Sequence, residues 1–182
     1  MAALFPSCRH NDFYADNIKA LDSLSGAVNA LVKEDLKTDT VILAKAISRL
    51  EQYKQFIQQN VKDTLTKIEA DFLQQFYASG NSLQSFELNR RLVKARVNLI
   101  NSQIDKLKHD ASAKVISEEK LNEFTNTEKK EANRLIEAGH NQQQLFYTNL
   151  QEFKTALKGV EELIKARNNG QLPTIIKDTL SL

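Results

Sequence analysis

Residues 146–164 read FYTNLQEFKTALKGVEELI, and this stretch decides the fold class of the chain. Its apolar residues recur at alternating spacings of four and three positions, the heptad pattern of helices that pack along a common seam. No proline interrupts the sequence between Pro6 and Pro173. Because proline inside a helix removes a hydrogen-bond donor and costs about 3 kcal/mol, its absence permits very long helices. The heptad positions are Phe146, Leu150, Phe153, Leu157, Val160 and Ile164.

The heptad stretch belongs to a last helix that we expect from about Ser117 to Asn168. Asn168-Asn169-Gly170 is typical of a left-handed C-cap. A turn is expected over 111–116, where the seam becomes small and polar. No strand-like alternation of useful length occurs, so the sequence predicts an all-α fold.

Two further helices are predicted in the first part of the chain. The first runs from about Asp12, its N-cap, to Lys33. A connection over Leu36–Thr40 follows, in which Thr38 or Asp39 caps the next helix. That second helix is expected from Val41 to Tyr77, a length of roughly 55 Å.

The segment Ser79-Gly80-Asn81-Ser82 then offers two readings. It is a full reversal of the chain, or a kink in a helix that continues to about Ala113. We favour the kink, because a reversal would leave a longer last helix overhanging its neighbours with apolar seam in water. The chain is then one kinked helix of about 70 residues that returns, antiparallel, against one of about 50. In this arrangement the short first helix lies at the end far from the turn.

The arrangement gathers the richest apolar surface at one end of a rod, and a large exposed apolar face is typical of a dimer interface. We therefore predict a dimer. Its expected contacts are Leu21, Leu24, Val28, Leu31, Leu43, Ile47, Leu50, Phe146, Leu150, Phe153 and Leu157.

Positive charge is concentrated toward the predicted turn. The net charge of the 182 residues is only +2, too mild to indicate a nucleic-acid binder. Between Arg90 and Lys114, however, only Asp105 and Asp110 oppose the basic side chains, which favours an anionic partner. The basic residues of this segment are Arg90, Arg91, Lys94, Arg96, Lys106, Lys108 and Lys114, and Lys129 and Lys130 follow across the turn.

Composition and motifs bound the remaining possibilities. With 41% hydrophobic and 26% charged residues the chain has the composition of a folded protein, and a single Cys8 fits a reducing compartment. We predict no secretory signal, no membrane span, no metal or other cofactor and no enzymatic activity: His10, His109 and His140 stand apart, and no nucleophile or phosphate-binding motif occurs. One helical domain is expected over 11–168, between a flexible N-terminus (1–10) and a tail (169–182).

Several segments carry a family resemblance. Val61-Lys62-Asp63-Thr64-Leu65 leads to the proposed kink, and the basic run Asn89-Arg90-Arg91-Leu92-Val93-Lys94-Ala95-Arg96-Val97-Asn98-Leu99 follows, then Ser102 to Leu107. Beyond the turn come Glu118 to Arg134 and the apolar helix ending Phe146 to Ile164. In this order the segments resemble a BAR domain, the banana-shaped helical dimer that binds curved membranes. The resemblance covers about Leu43 to Arg167, and more loosely Ala20 to Leu36.

The resemblance implies a homodimer, or a heterodimer with a related chain, that serves membrane trafficking as a cytoplasmic, peripheral membrane scaffold. By position, the basic residues named above would contact anionic lipid headgroups and sense or stabilise curvature. The chain departs from the family in its shorter first helix, and we expect no basic amphipathic leader of the kind that some members insert into the bilayer.

Two other functions are compatible with the same residues. A coiled-coil subunit of a tethering, kinetochore or cytoskeletal complex would use the seam at Leu145 to Ile164 to bind a partner chain and would not touch a membrane. A nucleic-acid scaffold is disfavoured, because no aromatic residues are interleaved with the basic ones between Arg90 and Lys114.

Overall fold

The computed structural model describes residues 13–35, 38–62, 64–170 and 172. These residues form four helices, α1 (Phe13–Asp35), α2 (Thr40–Asn60), α3 (Lys67–Ser112) and α4 (Glu118–Arg167), and no strand occurs among them. The predicted all-α class is confirmed. Three predictions lie wholly or partly outside the described residues: the N-cap Asp12, the N-terminus 1–10 and the tail, of which only residues 169, 170 and 172 are described.

The chain divides into two compact units, and α3 and α4 contribute one part to each. The first unit contains α1 together with Val93–Ala138. The second unit contains Glu34–Leu92 together with the chain from Gly139 onward, and therefore α2. Each unit is thus built from three helical segments.

The core of the second unit is rich in stacked aromatic rings. Phe76 of α3 stacks on Phe153 of α4 with ring centroids 5.0 Å apart, and Phe86 stacks on Phe146 at 4.7 Å. These pairs run in opposite sequence directions, so the two segments are antiparallel. The hydroxyl of buried Tyr53 donates to Glu161 Oε1 at 3.0 Å. Burial, followed by the nearby Glu161 carboxylate, raises the pKa of this Tyr53 hydroxyl.

Two glycines allow the helices of the second unit to approach closely. A Cβ atom at Gly80 of α3 would lie 2.6 Å from Leu50 Cδ1 of α2. A Cβ atom at Gly159 of α4 would lie 2.5 Å from Cγ of the Phe72 ring of α3. Both distances are shorter than real carbon contacts, so only glycine fits this spacing without movement of a neighbour.

The core of the first unit corrects the expected position of α1. The buried side chains Leu21, Val28 and Leu31 of α1 share a cluster with residues of α3 and α4. The Tyr14 hydroxyl donates to the backbone oxygen of Ile116, in the turn between α3 and α4, at 3.0 Å. The prediction that the first helix lies far from the turn is therefore wrong, because its apolar stripe matches the part of α3 next to the turn. The other buried members of the cluster are Val97, Ile100, Ile104, Ala132 and Leu135.

The expected single helix from Val41 through Tyr77 is also wrong. The helix stops at Asn60, and Val61 has an extended backbone with φ −95° and ψ 90°. A new helix then begins with a capping box: the backbone N–H of Thr66 donates to Glu69 Oε2 at 2.7 Å, and the Glu69 N–H donates to Thr66 Oγ1 at 3.3 Å. Thr66 and Glu69 at this spacing were the missed sequence signal. The break also rules out the predicted helix of about 70 residues.

The segment Ser79–Ser82 does not reverse the chain. It lies inside α3, which is helical from Lys67 to Ser112. The Ser79 hydroxyl donates to the Gln75 backbone oxygen at 2.7 Å, and the Ser82 hydroxyl to that of Ala78 at 3.0 Å. Each serine thus bonds within its own helix instead of starting a turn.

Other predicted boundaries are confirmed. Asp39 is the N-cap of α2, and its carboxylate accepts from the N–H groups of Val41 and Ile42. The turn after α3 contains Lys114 with φ 51°. After α4, Gly170 has φ 78°, and its N–H donates to the Lys165 oxygen at 2.8 Å.

Replacing Gly159 by alanine should destabilise the protein. The new methyl group would collide with the Phe72 ring, and overpacking of about 1–3 kcal/mol outweighs a helix-propensity gain of about 1 kcal/mol. Gly26→Ala is the matched control, because a Cβ placed there would have no other described part of the chain within 4 Å, apart from the neighbouring backbone of its own helix. Urea unfolding should show a lower midpoint for Gly159→Ala and a higher one for Gly26→Ala. A higher midpoint for both would contradict the close approach.

The capping box at the start of α3 should make stability depend on pH. Hydrogen bonds from the Thr66 backbone and hydroxyl, and then from Arg167, hold the pKa of Glu69 below its usual 4.5. A lowered folded-state pKa stabilises the protein above the unfolded-state pKa, and this contribution is lost as the pH falls through the folded value. The gap in melting temperature between wild type and Glu69→Gln should therefore shrink as the pH is lowered from neutral to well below 4.5. A gap that stays constant across this range would contradict the role of the carboxylate.

Candidate functional site

The candidate site is the part of α3 between Leu88 and Lys106. Val97 and Ile104 of this segment are buried in the core of the first unit. Because α-helical residues advance by about 100° each, the side opposite to Val97 carries Leu88, Leu92 and Leu99. We call this side the outward face of α3. It comprises Leu88, Arg91, Leu92, Ala95, Arg96, Leu99 and Lys106, all exposed.

Two of the predicted lipid-binding residues are engaged within the fold. Arg90 is only 23% exposed, and its guanidinium bonds Asp35 Oδ2 at 3.0 Å and Glu87 Oε2 at 3.1 Å. Lys108 forms an ion pair with Asp22 of α1, and the hydrogen bond to this carboxylate raises the pKa of the Lys108 ammonium. Both side chains tie helices together, which argues against them as free lipid contacts.

Glu87 organises the start of the basic segment. Its carboxylate accepts from Arg90 Nε and, at 3.0 Å, from Arg91 Nε. Burial alone would raise the pKa of Glu87, but the hydrogen bonds from the two arginines outweigh it and lower this pKa. Arg91 nevertheless stays 75% exposed, so its guanidinium remains accessible to a partner.

The other predicted basic residues are exposed. Lys94, Arg96 and Lys106 form no ion pair with another residue that the structure describes. Lys114 places its ammonium 5.7 Å from the centroid of the Tyr14 ring. Lys129 and Lys130 are exposed on α4, near Glu128 and Glu131. The accessible positive charge is therefore concentrated on α3.

The exposed leucines on this face are not among the residues predicted from the sequence. Leu88, Leu92 and Leu99 are 62%, 55% and 59% exposed. The available signal was their spacing of four and seven residues, which places them on one side of a helix whose core positions are already occupied by Val93, Val97 and Ile100.

Most of the predicted dimer contacts lie in the interior of the single chain. Leu24, Ile47 and Leu150 are half-buried and pack against the same cores. A side chain that is fully packed within its own chain has no surface left for a second copy, which argues against these residues as an interface. The buried ones are Leu21, Val28, Leu31, Leu43, Leu50, Phe146, Phe153 and Leu157.

The described residues show neither a metal-binding cluster nor a helix able to cross a membrane. Across 13–35, 38–62, 64–170 and 172, no group of three or more His, Cys, Asp or Glu side chains could hold a metal ion. In the same ranges no helix is both long and apolar enough to span a bilayer. His109 Nδ1 lies 3.3 Å from Asp110, and His140 Nδ1 lies 3.2 Å from Glu34. Cys8 and His10 lie outside the described residues.

Comparisons with known proteins add no family assignment. No protein family, curated protein or solved structure matches this chain. The BAR resemblance therefore stays a prediction.

Replacing Phe153 by alanine should test whether a predicted dimer residue belongs to the core. Phe153 is fully buried and stacks on Phe76, so the variant should lose about 3–5 kcal/mol of unfolding free energy. Tyr147→Ala, at a 54% exposed aromatic of the same helix, should change it by less than about 0.5 kcal/mol. Denaturant unfolding at several protein concentrations provides the measurement. A different outcome would support an interface instead: the wild type forms a dimer, the Phe153 variant does not, and at low protein concentration the two have the same unfolding free energy.

Proposed function

We propose that this chain is a non-enzymatic scaffold that binds anionic membranes through the basic residues of α3. One observation carries the proposal: from Leu88 to Ile104 the helix contains no carboxylate, and Arg91, Lys94 and Arg96 are exposed on it. A stretch of 17 residues with cations and no anions is unusual beside the mixed charges of α4. Anionic lipid headgroups are an extended surface of the complementary charge.

The magnitude of this attraction can be estimated from the accessible cations. Each Lys or Arg close to an anionic leaflet contributes about 1 kcal/mol. Lys94, Arg96 and Lys106, which form no ion pair with a described residue, together would contribute about 3 kcal/mol, which corresponds to a dissociation constant of roughly 5 mM. Charge on one copy thus supports weak, reversible binding, and two copies acting together would bind far more tightly.

We further propose that the chain acts as a dimer, with itself or with a related chain, and responds to membrane curvature as BAR domains do. The support is the resemblance of the segments from Leu43 to Arg167 and the need for more than one copy's charge. The kinked, crescent-shaped coiled coil and the cytoplasmic, peripheral location belong to the same proposal. The dimer contacts would differ from the apolar residues predicted from the sequence, because most of those residues are buried within one chain.

The second candidate is a coiled-coil subunit that binds a protein partner without a membrane. The observation in its favour is the spacing of Leu88, Leu92, Ala95 and Leu99, whose separations of four, three and four residues follow a heptad. The seam predicted from the sequence, Leu145 to Ile164, is a weaker candidate because Phe146, Phe153 and Ile164 are buried within the chain.

Reversing three charges on α3 should abolish binding to anionic vesicles. The variant carries Lys94→Glu, Arg96→Glu and Lys106→Glu and avoids Arg90, whose ion pairs support the fold. Because each cation contributes about 1 kcal/mol, affinity should fall by more than about 100-fold. Co-sedimentation with vesicles of phosphatidylcholine and phosphatidylserine provides the measurement.

The matched control carries Lys19→Glu, Lys62→Glu and Lys158→Glu, the same charge change at exposed lysines elsewhere. It should retain most of the binding. Equal losses in both variants would indicate a response to net charge alone, and binding by the α3 variant at the wild-type level would overturn the proposal.

A further inference from the structure

Three leucines project from the side of α3 that the core does not use. Leu88, Leu92 and Leu99 are 62%, 55% and 59% exposed, and their spacing places them within an arc of about 40°. A single exposed leucine is ordinary. Three on one face, with exposed Ala95 between them, form a continuous apolar stripe, and such stripes mark binding surfaces.

Arginines border this stripe on both sides. Arg91 and Arg96 lie about 60° and 80° to either side of the direction in which Leu88 points, and both are exposed. No carboxylate lies within the stripe, because none occurs between Leu88 and Ile104. On one edge Arg91 is already paired with Glu87 at 3.0 Å, although it stays 75% exposed. Whatever covers the leucines must therefore accept the positive charge of Arg96 on the other edge and tolerate the exposed guanidinium of Arg91.

A second copy of the chain is a poor occupant for this surface. If the leucines of two copies paired in a parallel heptad, Arg91 of one copy would face Arg96 of the other, because these flanking positions are five residues apart. Like charges that face each other in this way oppose association. An antiparallel pairing centred on the leucines would place Arg91 near Asn98 and Arg96 near Asn89 of the other copy, so it would supply no opposite charge to either arginine.

The apolar stripe is also short for a partner helix. It spans Leu88 to Leu99, less than two heptads, whereas a coiled-coil seam is typically sustained over three to four. Polar Ser85 and Ser102 occupy the next positions on each side. Three half-exposed leucines also provide much less than the roughly 800 Å² that each partner buries in a stable protein interface.

We infer that the leucine stripe inserts into the interfacial region of an anionic bilayer. This inference rests on the proposed membrane-binding function and adds the apolar contact that the cations alone do not supply. A bilayer requires neither a long seam nor a complementary protein surface. Arginine side chains can keep their guanidinium groups among the headgroups while leucines between them enter the acyl boundary, as in amphipathic helices that lie on membranes.

The test is a variant with Leu88→Ser, Leu92→Ser and Leu99→Ser. Partitioning onto phosphatidylserine-containing vesicles is measured at low and at high salt, because salt screens the charges but not the apolar contact. At roughly fivefold per leucine, the variant should lose about 100-fold in partition coefficient, and the salt-resistant part of the binding should disappear. Val41→Ser, Ile68→Ser and Leu145→Ser together form the matched control, since these residues are similarly exposed elsewhere, and this control should partition as wild type.

A direct readout of depth accompanies the variant. With Cys8 replaced by serine, an environment-sensitive fluorophore on Leu92→Cys should shift to the blue on vesicles and be quenched by brominated acyl chains. The same fluorophore on Ile68→Cys should show neither change. Absence of the shift and of the quenching at position 92 would overturn the inference.

The outcomes separate this inference from the proposed function. If wild type does not bind anionic vesicles at all, both fail. If it binds and the charge-reversed α3 variant does not, while the serine variant binds as wild type, only the insertion fails. Two results would show that the stripe binds protein and would overturn the inference. In the first, light scattering shows an oligomer of the wild type that the serine variant does not form. In the second, a glutamate-flanked amphipathic peptide binds the wild type through these leucines, while vesicles do not.

Discussion

The unbroken run of α3 through Ser79–Ser82 is the constraint on which the rest of the structure depends. Gly80 lacks the Cβ that would collide with Leu50, so α2 can pack directly against the α3 backbone at this point. The hydroxyls of Ser79 and Ser82 donate hydrogen bonds to backbone carbonyls of the preceding helical turn, so both are satisfied within α3. Residues that are typical of a turn in isolation are thus compatible with a helix once a neighbour lies against them.

Because α3 continues, this single helix contributes side chains to the cores of both units and also carries the exposed outward face. Phe76, Leu83 and Phe86 serve the second unit, and Val97, Ile100 and Ile104 serve the first. The angular position of each residue around the helix then determines whether its side chain is buried or exposed. Arg90 points toward Asp35 and becomes a structural ion pair, whereas Arg91, 100° further around, stays 75% exposed. The charges available to a partner are therefore those on the side that the core leaves free.

Much of the fold could be predicted from the sequence, because the relevant signals are local. The C-cap at Gly170, the N-cap at Asp39 and the turn near Lys114 all follow from short-range backbone preferences. The break after Asn60 was missed because the apolar spacing continues through Val61 and Leu65, both of which pack on the core without being helical. Only the Thr66–Glu69 capping box distinguishes the two cases.

The position of α1 and the role of the apolar residues could not be read from periodicity. A heptad shows that a residue is buried, but it does not show whether the burying partner is the same chain or a second copy. The apolar pattern predicts Leu21 and Phe153 as dimer contacts, whereas the structure places them in the two cores. The candidate site was found in part, since its cations were visible as a charge cluster. Its leucines were not, because an exposed face is recognised only after the core face has been located.

The most direct test of this account is a distance across the segment Ser79–Ser82. Spin labels on Asp71→Cys and Arg91→Cys, with Cys8 replaced by serine, would both sit at exposed positions of α3. Twenty residues of continuous helix predict a separation of about 30 Å by electron–electron double resonance. A chain that folds back at this segment would place the labels on neighbouring helices whose axes lie roughly 10 Å apart, and a distance in that range would contradict the single helix and the outward face derived from it.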